Sequence, residues 1–201
     1  MKKFCAVLLA AGVSKRLGFN KLTLKINGES VIRKATLPFI SAGIEKVFVV
    51  TGIQSEDIQR ELSGYDVEFI QNKDYALGMS TSVRVSLPFV ENAKGVFFHL
   101  GDKPFIEKEI LYHMIDTYQK NRKKIIVPLF KGKKGHPVLM DVSAYGTEME
   151  FLTGDKGLRE IIEKYIEDVI FIEGDEGSLF DVDTIEDIAS LKERGYTIEK
   201  G

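Results

Sequence analysis

The chain is predicted to fold as an α/β protein. A mostly parallel central sheet carries helices on both faces, giving three α/β/α layers, and a small β-hairpin is added. Two observations support this. Short apolar, β-branched runs alternate with amphipathic stretches almost to the end of the chain, as expected for buried strands linked by helices. The alternation then breaks after Phe130, where Lys131-Gly132-Lys133-Lys134-Gly135 reads as a turn-rich basic tip. His136-Pro137-Val138-Leu139-Met140 follows as a return strand, which suggests a hairpin on one edge of the sheet. With 201 residues, 44% of them hydrophobic, the chain can bury a sizeable core, and one domain over 1–201 is expected.

In chain order, the apolar run Phe4–Leu9 reads as the first strand and Glu29–Ala42 as the first helix. Strand Lys46–Thr51, helix Ser55–Leu62, strand Val67–Gln71 and helix Ser80–Phe89 come next. Strand Gly95–Leu100 precedes helix Lys108–Lys120, whose Ile110, Leu111, Met114, Ile115 and Tyr118 recur at helical spacing. Strand Lys124–Phe130 and the return strand follow. Helix Lys156–Tyr165 has the same spacing in Leu158, Ile161, Ile162 and Tyr165, before strand Val169–Ile172 and helix Ile185–Arg194. In sheets of this kind, ligands bind beyond the carboxyl ends of the strands.

Composition excludes several classes. A formal net charge of −2 and a pI near 6.0 argue against a nucleic-acid binder, which would be basic. The one cysteine, Cys5, lies inside the first apolar run and reads as a buried core residue, which fits a reducing cytosol. After Met1-Lys2-Lys3 the apolar run is too short for a signal segment, and no stretch approaches a membrane span. A soluble cytoplasmic protein is expected.

The segment Leu8 to Lys21 carries the strongest chemical signal. A buried strand ending in Ala10-Ala11-Gly12 makes a tight loop whose amides can face an anion, and Arg16 and Lys21 add two cations. A polyphosphate pocket is one reading and a βα turn with a solvated basic flank the other. Neither G-x-G-x-x-G nor G-x-x-x-x-G-K-[ST] is present. Asp102, at the carboxyl end of the Gly95–Leu100 strand, is placed to hold a divalent cation bridging phosphates, or else caps the turn stiffened by Pro104. In Asp181-Val182-Asp183-Thr184-Ile185-Glu186-Asp187, Thr184 and Asp187 suit a capping box. Asp181 and Asp183 precede it on an extended segment, where either could join Asp102 in a two-carboxylate magnesium site. Gly78-Met79-Ser80-Thr81-Ser82-Val83-Arg84 opens a helix with hydroxyls that suit a base, ribose or phosphate, or a plain cap. His136 could donate to an anion or ring, or be structural. His99 and His113 have no metal-ligand spacing, and His113 reads as solvated.

Taken together, these segments resemble the MobA-like nucleotidyltransferases, and within them the molybdenum cofactor cytidylyltransferases. The resemblance runs over nearly the whole chain. Its carriers are Leu9-Ala10-Ala11-Gly12-x-Ser14-x-Arg16-x-Gly18-x-x-Lys21, Gly78-Met79-Ser80-x-Ser82-x-Arg84 and Leu100-Gly101-Asp102-x-Pro104. Gly135-His136-Pro137-Val138, Gly154-Asp155-x-Gly157-x-Arg159 and Asp181-x-Asp183-Thr184-x-Glu186-Asp187 complete it. The Ala-Ala-Gly form of the first loop looks like the cytidylyl branch, with the Ala11 methyl narrowing room near the base. Leu17 stands where Met is usual, Lys103 where Gln is common and Ile185 where Pro is usual. The charge at Lys103 is expected to alter contacts with the acceptor.

The resemblance implies a Rossmann-like fold, magnesium, and transfer of CMP from CTP to the phosphate of molybdopterin with release of pyrophosphate. Arg16, Lys21 and Asp102 would be catalytic. Nucleotide binding would use Leu9, Ala10, Ala11, Gly12, Ser14, Arg16 and Lys21. Thr51, Ser80, Ser82, Gly101 and Asp102 would join them, with both serines near cytosine or ribose. Magnesium would sit on Asp102 and Asp183, with Asp181 as the substitute. His136, Pro137 and the basic tip would face the pterin acceptor. A molybdoenzyme is a possible partner; nucleic acid and membrane are not. The alternatives are a guanylyltransferase of the same fold using GTP or another phosphorylated acceptor, or a cofactor carrier.

Overall fold

In the computed structural model, which describes residues 4–14, 16–53, 55–122 and 124–200, the first strand shows how the core is divided. In β1 (Phe4–Ala10), Ala6, Leu8 and Ala10 enter one apolar cluster, while Cys5 and Val7 enter a second. Alternate residues of a strand point to opposite faces. A strand apolar at both parities therefore belongs in the middle of a sheet covered on both sides. Met1–Lys3, Lys15, Gln54, Lys123 and Gly201 lie outside the described residues.

β2 (Lys25–Ile26) and β3 (Glu29–Ser30) form a short hairpin before α1 (Val31–Ser41). β4 (Lys46–Thr51), α2 (Ser55–Glu61), β5 (Glu68–Gln71) and α3 (Met79–Val90) follow. Next come β6 (Gly95–Leu100), α4 (Lys108–Lys120), β7 (Ile125–Phe130), β8 (Lys133–Lys134) and β9 (Val138–Met140). The chain ends with α5 (Val142–Glu150), α6 (Arg159–Lys164), β10 (Val169–Glu173), α7 (Glu176–Leu179), α8 (Ile185–Glu193) and β11 (Ile198–Glu199). Among the described residues the main sheet has eight strands in the order β10-β7-β9-β6-β1-β4-β5, with β8 beside β7. β1 pairs in parallel with β4 and β6, β4 with β5, and β7 with β10. One face is covered by α1, α2, α4 and α8 through residues such as Phe39, Ile58, Leu111 and Leu191. α3, α5 and α6 cover the other through Val83, Tyr145 and Ile161. The three-layer, mostly parallel expectation holds.

The return strand is not at an edge. β9 lies between β6 and β7, antiparallel to both, pairing Phe97 with Leu139 and Ile126 with Leu139. Val138, Leu139 and Met140 are all buried, and a strand apolar on both faces is stable only inside the sheet. The tight hairpin is β7–β8, turned by Lys131 (φ 48°) and Gly132 (φ 76°), and it stands on β7, which itself lies between β10 and β9. Asn27 (φ 54°) and Gly28 (φ 82°) turn the β2–β3 hairpin in the same way, since a two-residue loop of this hand needs two positive φ values. The first helix therefore starts at Val31, capped by Ser30, and not at Glu29. The helix expected from Lys156 starts at Arg159, because Gly154 (φ 65°) and Gly157 (φ 53°) break the run before it. The sequence reading assigned no element to Val142–Glu150, which forms α5 with Asp141 as its cap. Among the described residues no helix is long and apolar enough to cross a membrane.

Candidate active site

The carboxyl ends of β1 and β6 lie side by side, and the register pairs Leu9 with Leu100. The chain bends closely there. Gly101 donates its N–H to the Leu9 carbonyl at 3.0 Å, and a Cβ on Gly101 would stand 3.0 Å from the Ile32 side chain and 3.2 Å from Ala10. Asp102 follows at once, so its position is set by two neighbouring strands. The loop after β1 folds back over this edge. Ser14 accepts the Lys21 amide on its hydroxyl at 3.0 Å and the Gly18 amide on its carbonyl at 3.2 Å. Asn20 caps the turn Lys21–Thr23 by accepting the Leu22 amide at 3.1 Å.

That fold brings Lys21 between two carboxylates. Its ammonium donates to Asp102 Oδ2 at 2.5 Å and to Asp183 Oδ1 at 2.9 Å. Burial works against the charge on Lys21, but Asp102 and Asp183 outweigh it and raise its pKa. Burial likewise opposes charge on Asp183, yet Lys21 and Arg16 hold its carboxyl below the usual range. The exposed Arg16 guanidinium donates to Asp183 Oδ2. The expected capping box is present: Thr184 and Asp187 cap each other, and Asp187 Oδ2 also accepts the Asp183 amide at 3.0 Å. The segment is tied to the turn after β6 as well, where Val182 N–H donates to the Asp102 carbonyl at 3.0 Å.

Beside this cluster opens a cavity of about 710 Å³. Leu9, Ala10, Ala11, Gly12, Arg16, Lys21, Ser82 and Asp102 line it, all of them expected at the nucleotide. Val13, Tyr75, Ala76, Gly78, Met79 and Asp155 also line it; of these, Tyr75 and Ala76 fall outside every motif that the sequence singles out.

A family description, the MobA-like NTP transferase domain, matches residues 6–169. The chain belongs to the MobA-like NTP transferases. It is 26% identical over 211 residues to the molybdenum cofactor cytidylyltransferase of Escherichia coli, covering 98% of this chain and 99% of that one. It is 29% identical over 130 residues to a probable molybdenum cofactor guanylyltransferase of Natranaerobius thermophilus, covering 63% of this chain and 60% of the other. Among solved structures, Rv0371c of Mycobacterium tuberculosis superposes with a TM-score of 0.82 at 28% identity, covering 96% of this chain and 98% of that one. The same protein has been solved as a manganese complex, with a TM-score of 0.81 at 25% identity. This MobA-like protein is a nucleotidyltransferase.

Other expected residues lie elsewhere in the transferase. Thr51 is buried at the end of β4, paired with Ala10. Ser80 is completely buried; its amide donates to the Gly154 carbonyl at 3.0 Å, and its hydroxyl does not reach the cavity. One helical turn sends successive hydroxyls to different faces, so only Ser82 lines the cavity, held by Asn72 Nδ2 at 2.9 Å. Asp181 lies 3.9 Å from the Lys103 ammonium and does not share Lys21. Lys103 is 6% exposed and donates to the Leu179 carbonyl; burial lowers its pKa. It therefore braces the segment before Asp183 from inside, contrary to the expectation that its charge meets an acceptor. Pro137 is buried, and the His136 amide donates to the Ser178 carbonyl at 2.9 Å. Of the basic tip, Lys133 and Lys134 line a second cavity of about 530 Å³ with Arg159 and Glu163, and His136 does not.

Proposed function

We propose that this transferase moves CMP from CTP to the phosphate of molybdopterin and releases pyrophosphate. The observation that supports it most is the Lys21-bridged pair Asp102–Asp183, whose Lys21 and Asp102 line a cavity together with Ala10, Ala11 and Gly12. Ala11 is 7% exposed, and its methyl takes space that a purine ring would need. The near full-length likeness to the Escherichia coli cytidylyltransferase supports the same choice.

The residues fit a divalent cation. Asp102 Oδ1 is buried with no partner among the described residues, leaving a carboxylate oxygen free, and Asp183 stands across Lys21 from it. Asp102 and Asp183 would hold magnesium, which would supply charge neutralisation for the phosphates there. The chain's own residues do the rest. An acceptor phosphate oxygen attacks the α-phosphorus, and the bond to the β-phosphate breaks in line. The acceptor is already anionic at pH 7, so no strong general base is needed. Lys21 neutralises charge that develops on the α-phosphate. Arg16, whose side chain is 71% exposed, holds the departing pyrophosphate, and the amides of Ala11 to Ser14 cradle the β- and γ-phosphates.

A pyrophosphate-release assay with magnesium, purified molybdopterin and each of CTP, GTP, ATP and UTP tests this. Release is expected with CTP. Faster release with GTP would overturn the nucleotide, and no release with any triphosphate would favour a cofactor carrier. Asp102→Ala should lower turnover about 100-fold or more, by analogy with the loss of one charge-stabilising group; near-normal turnover would remove Asp102 from the metal.

A further inference from the structure

The large cavity is polarised. Arg16, Lys21 and Asp102 stand at the end nearer the cluster that contains Leu22 and Ile32. At the other end, Tyr75 and Ala11 belong to the opposite cluster, and the wall is Tyr75, Ala76, Gly78 and Met79. Among the described lining residues, one charged group stands at that end: Asp155. Its loop is pressed against the start of α3. Asp155 Oδ1 accepts the Met79 amide at 3.3 Å, and Gly154 accepts the Ser80 amide at 3.0 Å. A Cβ on Gly78 would come within 2.5 Å of the Gly154 carbonyl, so the two segments touch without a side chain between them. The other oxygen of Asp155 has no hydrogen-bond partner among the described residues.

We propose that Asp155 reads the exocyclic amine of the nucleotide base. The inference rests on the CTP reading and deepens it. A triphosphate is repelled by a carboxylate and drawn to Arg16 and Lys21, so the nucleotide lies with its base at the Asp155 end. An ionised carboxylate accepts hydrogen bonds and donates none. Cytosine presents an N4 amine, whereas uracil presents an oxygen at the same place. CTP gains a charge-assisted hydrogen bond where UTP sets two acceptors against each other. Ala11 limits the size of the base, and Asp155 selects among bases of that size by the sign of the hydrogen bond.

The test measures the affinity of wild type and variants for CTP, UTP, GTP and ITP with magnesium, by calorimetry and thermal shift. Asp155→Asn keeps an oxygen for the Met79 amide and adds a donor. Wild type should prefer CTP over UTP by about tenfold or more, the worth of one charge-assisted hydrogen bond. Asp155→Asn should bring the two within about threefold, chiefly by binding UTP better. Asp155→Ala removes the hydrogen bond to CTP and the repulsion of UTP together, so it should weaken CTP, strengthen UTP less than Asp155→Asn does, and narrow the ratio. A CTP-to-UTP ratio unchanged in both variants overturns the proposal. If wild type instead prefers GTP, the cytidylyl reading fails alone, and Asp155 is judged on whether Asp155→Asn narrows the preference for GTP over ITP, which lacks the amine. Binding of no triphosphate overturns both.

Discussion

Lys21 is the residue on which the proposed chemistry converges. It touches Asp102 and Asp183 together, so its removal does two things. It takes away a cation needed where charge develops, and it leaves two carboxylates facing each other. Lys21→Ala should lower kcat about 100-fold while the KM for CTP changes less than about threefold. Steady-state kinetics check this, and a change confined to KM would count against a transition-state role. At this scale the residue types were readable, but their directions were not. Asp181 and Asp183 are equivalent as two acidic residues on an extended segment. They part because Asp187 holds the Asp183 amide while Asp181 lies nearest the buried Lys103. Ser80 and Ser82 look alike in a hydroxyl-rich stretch, yet only Ser82 reaches the cavity.

At the level of elements, the start of α3 is the part most sensitive to a small change. Gly78 has φ +107°, and an added Cβ would meet Gly154 and Asp155. Gly78→Ala should destabilise the fold by about 1–3 kcal/mol, the usual cost of a strained backbone position, and weaken CTP binding by displacing Asp155. Gly12→Ala is the control. It has no positive φ and nothing within 4 Å of a Cβ, so its melting temperature should stay near wild type. Melting curves and nucleotide titrations on the pair separate strain from pocket shape. The long elements were legible because their periodicity is strong: β4, β6 and α4 fall where the pattern puts them. The short ones were not. The Asn27-Gly28 turn carried its own signal, a two-residue hairpin loop, which would have moved the start of α1 to Val31. α5 includes Ser143, Gly146 and Thr147, poor helix formers, and owes its existence to packing of Val142, Tyr145 and Met149 against the core.

Over the whole molecule, two imidazoles, His99 buried and His136 half-buried, tie stability to pH. His99 Nε2–H donates to the Lys103 carbonyl at 2.9 Å, and its ring lies 6.3 Å from that of His136. Burial lowers the pKa of His99 to about 3 and that of His136 to about 4. Unfolded, each would titrate near 6.5. The unfolded chain therefore binds more protons between about pH 6.5 and 4, and stability falls as pH drops through that range. The slope is about 1.4 kcal/mol per pH unit for each histidine once its unfolded form is protonated. Asp181, raised by burial, acts in the opposite sense but only nearer the carboxylate range. Urea unfolding from pH 8 to 4.5 should show a plateau above about 6.5 and a decline below it, shallower in His136→Gln. A flat profile would mean that the rings are solvated.

The sequence by itself determined the layer architecture, the family and the residue types that stand at the carboxyl ends of β1 and β6. These depend on local patterning and on short motifs whose order along the chain is informative. The tertiary structure alone decided that β9 enters the middle of the sheet and that Asp183, and not Asp181, shares Lys21. It alone also brought Asp155 to the far end of the cavity beside Met79. Each of these depends on which segments meet across long stretches of chain, and no local period records such a meeting.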